Sequence, residues 1–185
     1  MLDVGTGTGA LAVEAIRAGA REVTAVDISR AAGLAARFNT RVRRLPVRVE
    51  HGDVLDRGRG RRFDMILANP PYVPSHRPAL PTRGRARAWD AGLGGRALLD
   101  PLCRSASRLL HPGGSLLMVH SALCGVDETL EELAQHGMSA TVQARRSVPF
   151  GPVMRGRVAY LSRAGLVGAS QDHEDLVVIR GERRD

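Results

Sequence analysis

Hydrophobic positions along the chain follow two patterns that alternate. Short continuous apolar runs are typical of buried strands, and apolar residues that recur every three or four positions are typical of helices with one face on a core. The alternation of the two favours βα units and a mostly parallel sheet with helices on both faces. We therefore predict an α/β fold.

These patterns define seven strands and five helices. The predicted strands cover residues 1–4, 22–28, 46–54, 63–71, 115–121, 138–148 and 174–181. The predicted helices cover residues 9–19, 29–40, 97–110, 126–137 and 152–165. Ser29 is suited to cap the second helix, and the sequence HPGG at residues 111–114 is expected to end the third.

Two segments depart from the alternation. Residues 73–95 are rich in proline, glycine and arginine and show no period, and a loop of that length in a compact domain is often functional. The first predicted strand begins at Met1 itself, so we expect a short N-terminal segment to be missing. Residues 1–185 otherwise fit a single domain with a core of ordinary size.

Composition excludes several classes of protein. No apolar run approaches the ~20 residues of a transmembrane helix, so no membrane partner is expected. Cys103 and Cys124 lack a CxxC pairing and predict free thiols in a reducing compartment, the cytoplasm. With the six histidines scattered, no metal site is expected. The net charge of +8, carried entirely by arginine, is only weak support for a nucleic-acid partner.

A glycine-rich turn joins the first strand to the first helix. In LDVGTGTGALAVEA, Gly5, Gly7 and Gly9 follow Asp3 at alternate positions. Glycine permits positive φ and a close approach of the backbone to a ligand. The GxGxG spacing differs from the GxGxxG of dinucleotide binders, and an acid two residues before the first glycine suits a ligand that carries an ammonium group. A turn that serves packing alone is the alternative.

Two further acids end the next two predicted strands. Asp27 is placed where a carboxylate can accept hydrogen bonds from both hydroxyls of a ribose. Asp53 is placed where it can meet an adenine amino group. Because parallel strands present their carboxyl ends at one edge of a sheet, these acids and Asp3 together predict a nucleoside site.

The fourth predicted strand ends in the segment Asn69, Pro70, Pro71 and Tyr72. Both prolines lack an N–H, so the local backbone offers only carbonyl acceptors, and the residue before a proline is held extended. Asn69 adds a side-chain oxygen and Tyr72 a flat face. The segment predicts a slot for a planar –NH2 group, whose hydrogen bonds to carbonyl oxygens would stabilise the positive charge that develops as it attacks an electrophile. A proline-terminated strand without function is the alternative.

The glycine turn resembles motif I of the class I S-adenosylmethionine-dependent methyltransferases, and residues 69–72 resemble the (N/D)PP(Y/F) signature of methyltransferases that act on glutamine amides or on adenine or cytosine amino groups. The resemblance implies a Rossmann-like sheet with an antiparallel last strand and S-adenosylmethionine as cofactor. It implies that the catalytic residues are Asn69, Pro70, Pro71 and Tyr72. It implies that the cofactor-binding residues are Asp3, Gly5, Thr6, Gly7, Gly9, Asp27, Ile28, Asp53, Val54 and Asn69.

Together with AWDAGLGGRALLD at residues 88–100, NPPYVP is similar to the HemK-type release-factor glutamine methyltransferases, in particular their shorter branch. That family methylates the glutamine amide of the GGQ motif in peptide chain release factors, which implies a release factor as protein substrate and, in this branch, a small activator subunit. Family members carry a helix before motif I that caps the cofactor.

Two other functions are compatible with these residues. One is methylation of adenine N6 in DNA or RNA, for which Arg77, Arg83, Arg85 and Arg87 could contact phosphates, although enzymes of that kind use aromatic platforms or an added domain. The same arginines could equally be a solvated charge run. The other is a protein that binds S-adenosylmethionine without turnover.

Overall fold

Seven strands form one sheet in the order β3-β2-β1-β4-β5-β7-β6 in this computed structural model, which describes residues 1–54, 58, 60–82, 84–168 and 170–184. The strands are β1 Leu2–Val4, β2 Val23–Asp27, β3 Val47–His51, β4 Phe63–Ala68, β5 Leu110–Ser121, β6 Met138–Pro149 and β7 His173–Arg183. The helices are α1 Ala10–Arg17, α2 Arg30–Val42, α3 Leu99–Leu109, α4 Val126–Gln135, α5 Pro152–Arg155 and α6 Val158–Arg163. Short 3₁₀ turns cover Arg85–Ala88 and Ala122–Cys124.

The first five strands are mutually parallel, and β7 runs antiparallel to both of its neighbours. This arrangement confirms the predicted sheet and its antiparallel last strand. Since β1 lies between β2 and β4, with Asp3 level with Ala25 and Leu67, the segments that follow these three strands emerge side by side at one edge. Ligands bind at this edge in open α/β sheets.

Local sequence explains why the first helices begin where they do. Gly9 adopts φ +85°, and a Cβ there would lie 3.3 Å from Ala36, so this position favours glycine both for its backbone and for the close approach of α2. Ser29 caps α2 as predicted, because its Oγ accepts a hydrogen bond from the Ala32 N–H.

The main core lies between the sheet and the pair α3 and α4. Fully buried side chains from the central strands, such as Ile66, Leu116 and Met118, pack there against Leu99 and Leu133. A smaller cluster under α1 and a third cluster outside the sheet, built from residues 72–89 and 150–167, complete the apolar packing. The main core stabilises the sheet, and the third cluster packs against the site described below.

Two predicted elements have the wrong boundaries. Strand β5 already begins at Leu110, so residues 111–114 do not form a separate connection. Phe63 pairs with Leu110 and Met65 with Ser115, which makes those residues a bulge; Gly114 permits it, since a Cβ there would lie 2.9 Å from the His111 carbonyl oxygen. The predicted helix 152–165 is two helices. The break lies at Gly156 and Arg157, where Arg157 turns its side chain toward Pro74.

The segment from residue 73 to residue 95 is more ordered than its lack of periodicity suggests. Val73 and Asp90 form a parallel bridge, and the Ser75 N–H donates to the Gly92 carbonyl oxygen at 2.8 Å.

Among the described residues, no helix is both long and apolar enough to cross a bilayer.

Candidate active site

Asp3 is the most deeply buried charged side chain of the edge, with no exposed surface. Its Oδ2 accepts from the Thr6 hydroxyl at 2.5 Å and from the Ala12 N–H at 3.1 Å, whereas its Oδ1 is buried and has no hydrogen-bond partner among the described residues. Burial raises the pKa of the Asp3 carboxyl from 3.8 to about 6, against the lowering effect of these two hydrogen bonds. The unsatisfied oxygen fits a cationic donor such as an ammonium group.

The glycine turn, residues 5–9, is held by backbone contacts to the end of β2. The Gly5 and Thr6 N–H groups donate to the Val26 carbonyl oxygen at 2.9 and 3.1 Å, and the Gly7 N–H donates to Asp27 Oδ2 at 2.9 Å. Gly5 has φ +66°, and no atom lies within 4 Å of the position a Cβ would take. The turn therefore leaves open space above its backbone that a side chain would partly fill.

Asp27 sits in a fixed orientation at the end of β2. In addition to the Gly7 contact, its Oδ1 accepts from the Ser29 N–H at 2.7 Å. Each carboxylate oxygen can accept a further hydrogen bond. Ile28, the next residue, is 52% exposed, so an apolar surface lies beside this carboxylate as an adenosine group would require.

The predicted adenine-contacting residues lie just beyond the end of β3. The Gly52 N–H donates to the Asp27 carbonyl oxygen at 3.0 Å, which ties this connection to the end of β2. Asp53 is exposed, and Val54 is half-buried against the main core. The structure thus brings all three strand-end acids to the same edge.

The NPPY segment, residues 69–72, borders a pocket of about 150 Å³. The pocket is lined by Asn69, Pro70, Pro71, Tyr72, Val73, Ala88 and Trp89. The Asn69 side chain is exposed and makes no hydrogen bond to any described residue. Burial, and to a lesser degree the charges of Glu174 and Cys124, raise the pKa of the Tyr72 hydroxyl, so it is a neutral group at physiological pH and not a base.

Two residues that sequence patterns did not single out hold this segment. The Cys124 thiol donates to the Tyr72 carbonyl oxygen at 3.0 Å, and burial raises its pKa to about 12. Gly95 adopts φ +75°, and a Cβ there would overlap the Tyr72 carbonyl oxygen and the Cys124 sulfur. The glycines of AWDAGLGG hinted at such an approach, but nothing in the sequence relates Cys124 to Tyr72, 52 positions away.

The loop 73–95 supplies the opposite wall of the pocket. The Val73 N–H donates to the Trp89 carbonyl oxygen at 2.8 Å, and the Ala91 N–H returns a bond to Val73 at 3.0 Å. Trp89 therefore lines the pocket from a backbone position that these hydrogen bonds fix.

Of the loop arginines, Arg77, Arg85 and Arg87 are described and Arg83 lies outside the described residues. In the described part of the chain, no three His, Cys, Asp or Glu side chains are grouped as a metal ion requires.

Together these groups place an ammonium-compatible carboxylate, a ribose-compatible carboxylate and an acceptor-lined pocket along one edge. The arrangement can hold a nucleoside with an amino-acid tail between the ends of β1 and β2, and a planar nitrogen after β4. Among the described residues, no acid or imidazole lines the pocket, so these residues can orient a nitrogen nucleophile but include no side chain to deprotonate it.

Residues 1–81 match the family described as methyltransferase small domain. A protein N5-glutamine methyltransferase of Methanocaldococcus jannaschii is 30% identical over 154 residues, 83% of this chain and 78% of the relative. A release factor glutamine methyltransferase of Deinococcus radiodurans is 38% identical over 130 residues, 64% of this chain and 44% of the relative. The chain thus spans less than half of the length of that longer enzyme.

A tRNA1(Val) (adenine(37)-N6)-methyltransferase of Vibrio vulnificus is 34% identical over 186 residues, 98% of this chain and 74% of the relative. Among solved structures, the YcgJ protein of Bacillus subtilis superposes with a TM-score of 0.67 at 13% identity, covering 100% of this chain and 91% of that one. A ribosomal protein L11 methylase of Lactobacillus delbrueckii gives 0.60 at 20% identity, covering 100% and 69%. At 13% and 20% sequence identity, these two similarities show the fold alone.

Proposed function

We propose that this chain methylates the glutamine side-chain amide of the GGQ motif of a peptide chain release factor. The chain belongs to the HemK-type glutamine N5-methyltransferase family of class I S-adenosylmethionine-dependent methyltransferases. S-adenosylmethionine is the cofactor of this family. The observation that carries the proposal is the pocket bordered by residues 69–72, beside the carboxylates that end β1 and β2.

The residues at the ends of the first three strands would hold the cofactor. Asp3 Oδ1, the buried oxygen without a partner, suits the ammonium of the methionine moiety. Asp27 suits the ribose hydroxyls, and Ile28, Asp53 and Val54 suit the adenine. When bound, S-adenosylmethionine supplies a methyl group already activated by a sulfonium, so the protein has only to present a nucleophile in line with it.

The NPPY segment would present the amide nitrogen. Because Cys124 already donates to the Tyr72 carbonyl, the acceptors would be the Asn69 side-chain oxygen and the carbonyl oxygens of residues 69–71, which line the pocket. Two hydrogen bonds from the –NH2 group to such acceptors orient its lone pair and stabilise the positive charge that grows on nitrogen during transfer. The new N–CH3 bond would replace the methyl–sulfur bond, so S-adenosylhomocysteine would be the leaving group, and the nitrogen would lose one proton to water and become the N-methyl amide.

The test is methyl transfer from radiolabelled S-adenosylmethionine to three acceptors in parallel: a class I release factor, its GGQ-to-GGA variant, and a nucleic-acid pool of duplex DNA and tRNA. We expect label on the intact release factor alone, because the variant lacks the amide nitrogen. Equal labelling of the GGA variant would contradict the proposal.

A second candidate, methylation of adenine N6 in RNA, is favoured by the similarity to the Vibrio vulnificus tRNA enzyme over 98% of the chain. The flat faces of Tyr72 and Trp89 on the pocket could stack a base, which also presents a planar –NH2 group. Label on the tRNA arm, together with an unlabelled release factor, would favour this function over the first.

A further inference from the structure

The loop 73–95 and the connection 150–168 between β6 and β7 pack into one unit outside the sheet, which we call the recognition unit. Its apolar core contains Val73, Phe150, Met154, Leu161 and Val167, all at most 9% exposed. Trp89, which lines the pocket, packs on the same cluster. The pocket wall therefore depends on a segment that follows it by more than 60 residues in the sequence.

Polar contacts join residues 73–95 to residues 150–168. Arg157 forms an ion pair with Asp90, and both side chains are largely buried, at 19% and 11% exposure. A second guanidinium nitrogen of Arg157 donates to the Pro74 carbonyl oxygen at 2.9 Å. The Tyr160 hydroxyl lies 2.9 Å from the Ser75 carbonyl oxygen and 3.0 Å from that of Leu93. The unit is thus a fixed surface next to the pocket.

Among the described residues of this unit, arginines outnumber carboxylates by six to one. The described arginines without a carboxylate partner in the unit are Arg77, Arg85, Arg87, Arg155 and Arg163. The unit contains a single acid, Asp90, which Arg157 already occupies. Next to the unit, by contrast, Arg96 is paired with Asp100, and farther on Arg104 is paired with Glu132.

The position of two of these arginines places part of the charge next to the pocket. Arg85 and Arg87 belong to the 3₁₀ turn that ends in Ala88, a lining residue. Arg155 follows the buried Met154 in α5, and Arg163 ends α6. Four of the five arginines are exposed, the exception being the half-buried Arg87, which donates to the Thr82 carbonyl oxygen.

We propose that the recognition unit docks an acidic surface of the protein substrate beside the pocket, outside the methylated glutamine itself; this inference rests on the proposed function and deepens it. Complementary charge of this kind raises the association rate and selects partners more than it adds contact energy. Strand binding combines a basic groove with a series of aromatic stacking platforms. Outside the pocket, where Tyr72 and Trp89 could stack a base, the described residues of the unit include the half-buried Tyr160 and the buried Phe150, at 2% exposure, but no series of exposed Phe, Tyr or Trp side chains. A protein partner is therefore favoured.

Charge reversal tests the surface. The first variant carries Arg77→Glu and Arg85→Glu, the second Arg155→Glu and Arg163→Glu. The matched control carries Arg21→Glu and Arg41→Glu, two exposed arginines without a described carboxylate partner at the opposite edge of the sheet. For each, KM is measured with the intact release factor and with a short peptide that contains GGQ, and S-adenosylmethionine affinity is measured alongside.

We expect KM for the intact factor to rise on the order of tenfold in each recognition-unit variant, and to depend less on salt than in the wild type. KM for the peptide and the cofactor affinity should stay within about twofold, and the control should match the wild type. An equal rise of KM for the peptide, or an unchanged KM for the intact factor, would overturn the inference.

Binding of the release factor in the absence of cofactor separates this inference from the proposed function. Wild-type binding that the reversals abolish supports the docking surface even if no label is transferred, in which case only the proposed function fails. If the reversals abolish binding of a poly(U) probe and leave release-factor binding unchanged, the surface serves a nucleic acid and the inference is wrong.

Discussion

The glycine turn and the pocket wall lie at the same edge of the sheet, but different kinds of contact hold them. The turn is fixed by hydrogen bonds from its backbone N–H groups to the Val26 carbonyl oxygen and the Asp27 carboxylate, about 20 positions away. The wall is fixed by an apolar cluster and a buried ion pair that join residues 73–95 to residues 150–168. A cofactor common to a family can thus be bound by local geometry, whereas a particular substrate is met by a surface assembled from distant parts of the chain.

The largest expected effect comes from a substitution at the proposed position of the reacting nitrogen, which should change the rate but not cofactor binding. Replacing Asn69 by alanine removes an acceptor that acts on the developing charge, so kcat should fall by roughly 10²–10³-fold. The cofactor dissociation constant should stay within about twofold, because Asn69 follows β4 and not the strands that end in Asp3 and Asp27. Isothermal titration with S-adenosylmethionine and single-turnover rates provide the two numbers. A parallel loss of cofactor affinity would show that the two sides are not separable.

Breaking the ion pair of the wall should be the next largest effect, and it should appear in stability. In Arg157→Met the Asp90 carboxylate is left buried without its partner, so the free energy of unfolding should fall by about 3 kcal/mol. The double variant Arg157→Met/Asp90→Leu should recover most of that loss. Urea denaturation of the two variants measures the difference. If the double variant is as unstable as the single one, the ion pair is not what holds the wall.

On the cofactor side, Asp27→Ala should weaken S-adenosylmethionine binding by roughly 1–3 kcal/mol, because the half-buried acceptor proposed for the ribose is lost. The same change removes the acceptor for the Gly7 and Ser29 N–H groups, so the glycine turn should loosen as well. Saturating cofactor should restore kcat. A drop in kcat that saturation does not restore would assign Asp27 a role beyond binding.

The smallest effect is a dependence on pH that arises from Asp3. Its folded-state pKa, about 6, lies above the unfolded value of 3.8, so its contribution to stability is present below pH 3.8 and is lost as pH rises through 6. An ammonium beside Asp3 favours the ionised carboxylate, so cofactor affinity should increase about tenfold between pH 5 and pH 7.5. Asp3→Asn should flatten both profiles and raise the melting temperature at pH 7.5. Unchanged profiles would mean that Asp3 does not face the ligand.

The features that could be predicted from the sequence are those that depend on neighbouring residues, and the missed ones depend on contacts between distant positions. The turn at Gly5 and Gly7, the cap at Ser29 and the slot after β4 are local patterns, and each was located from neighbouring residues. The contact of Cys124 with Tyr72 and that of Arg157 with Asp90 join positions 52 and 67 apart, and no periodicity relates such positions. The bulge at residues 111–114 was missed because proline and glycine usually mark the end of an element, although here they sit inside a strand.

The order of strands also bears on when the two sides of the proposed site are completed during synthesis. Strand β7 lies between β5 and β6, and the connection that supports the pocket wall immediately precedes it. Arg157, which fixes that wall, is synthesised 130 residues after Asp27, which holds the glycine turn. The wall that carries Trp89 can therefore be fixed only after the strands of the proposed cofactor side have been made, and β7 must then insert between two strands that precede it in the chain.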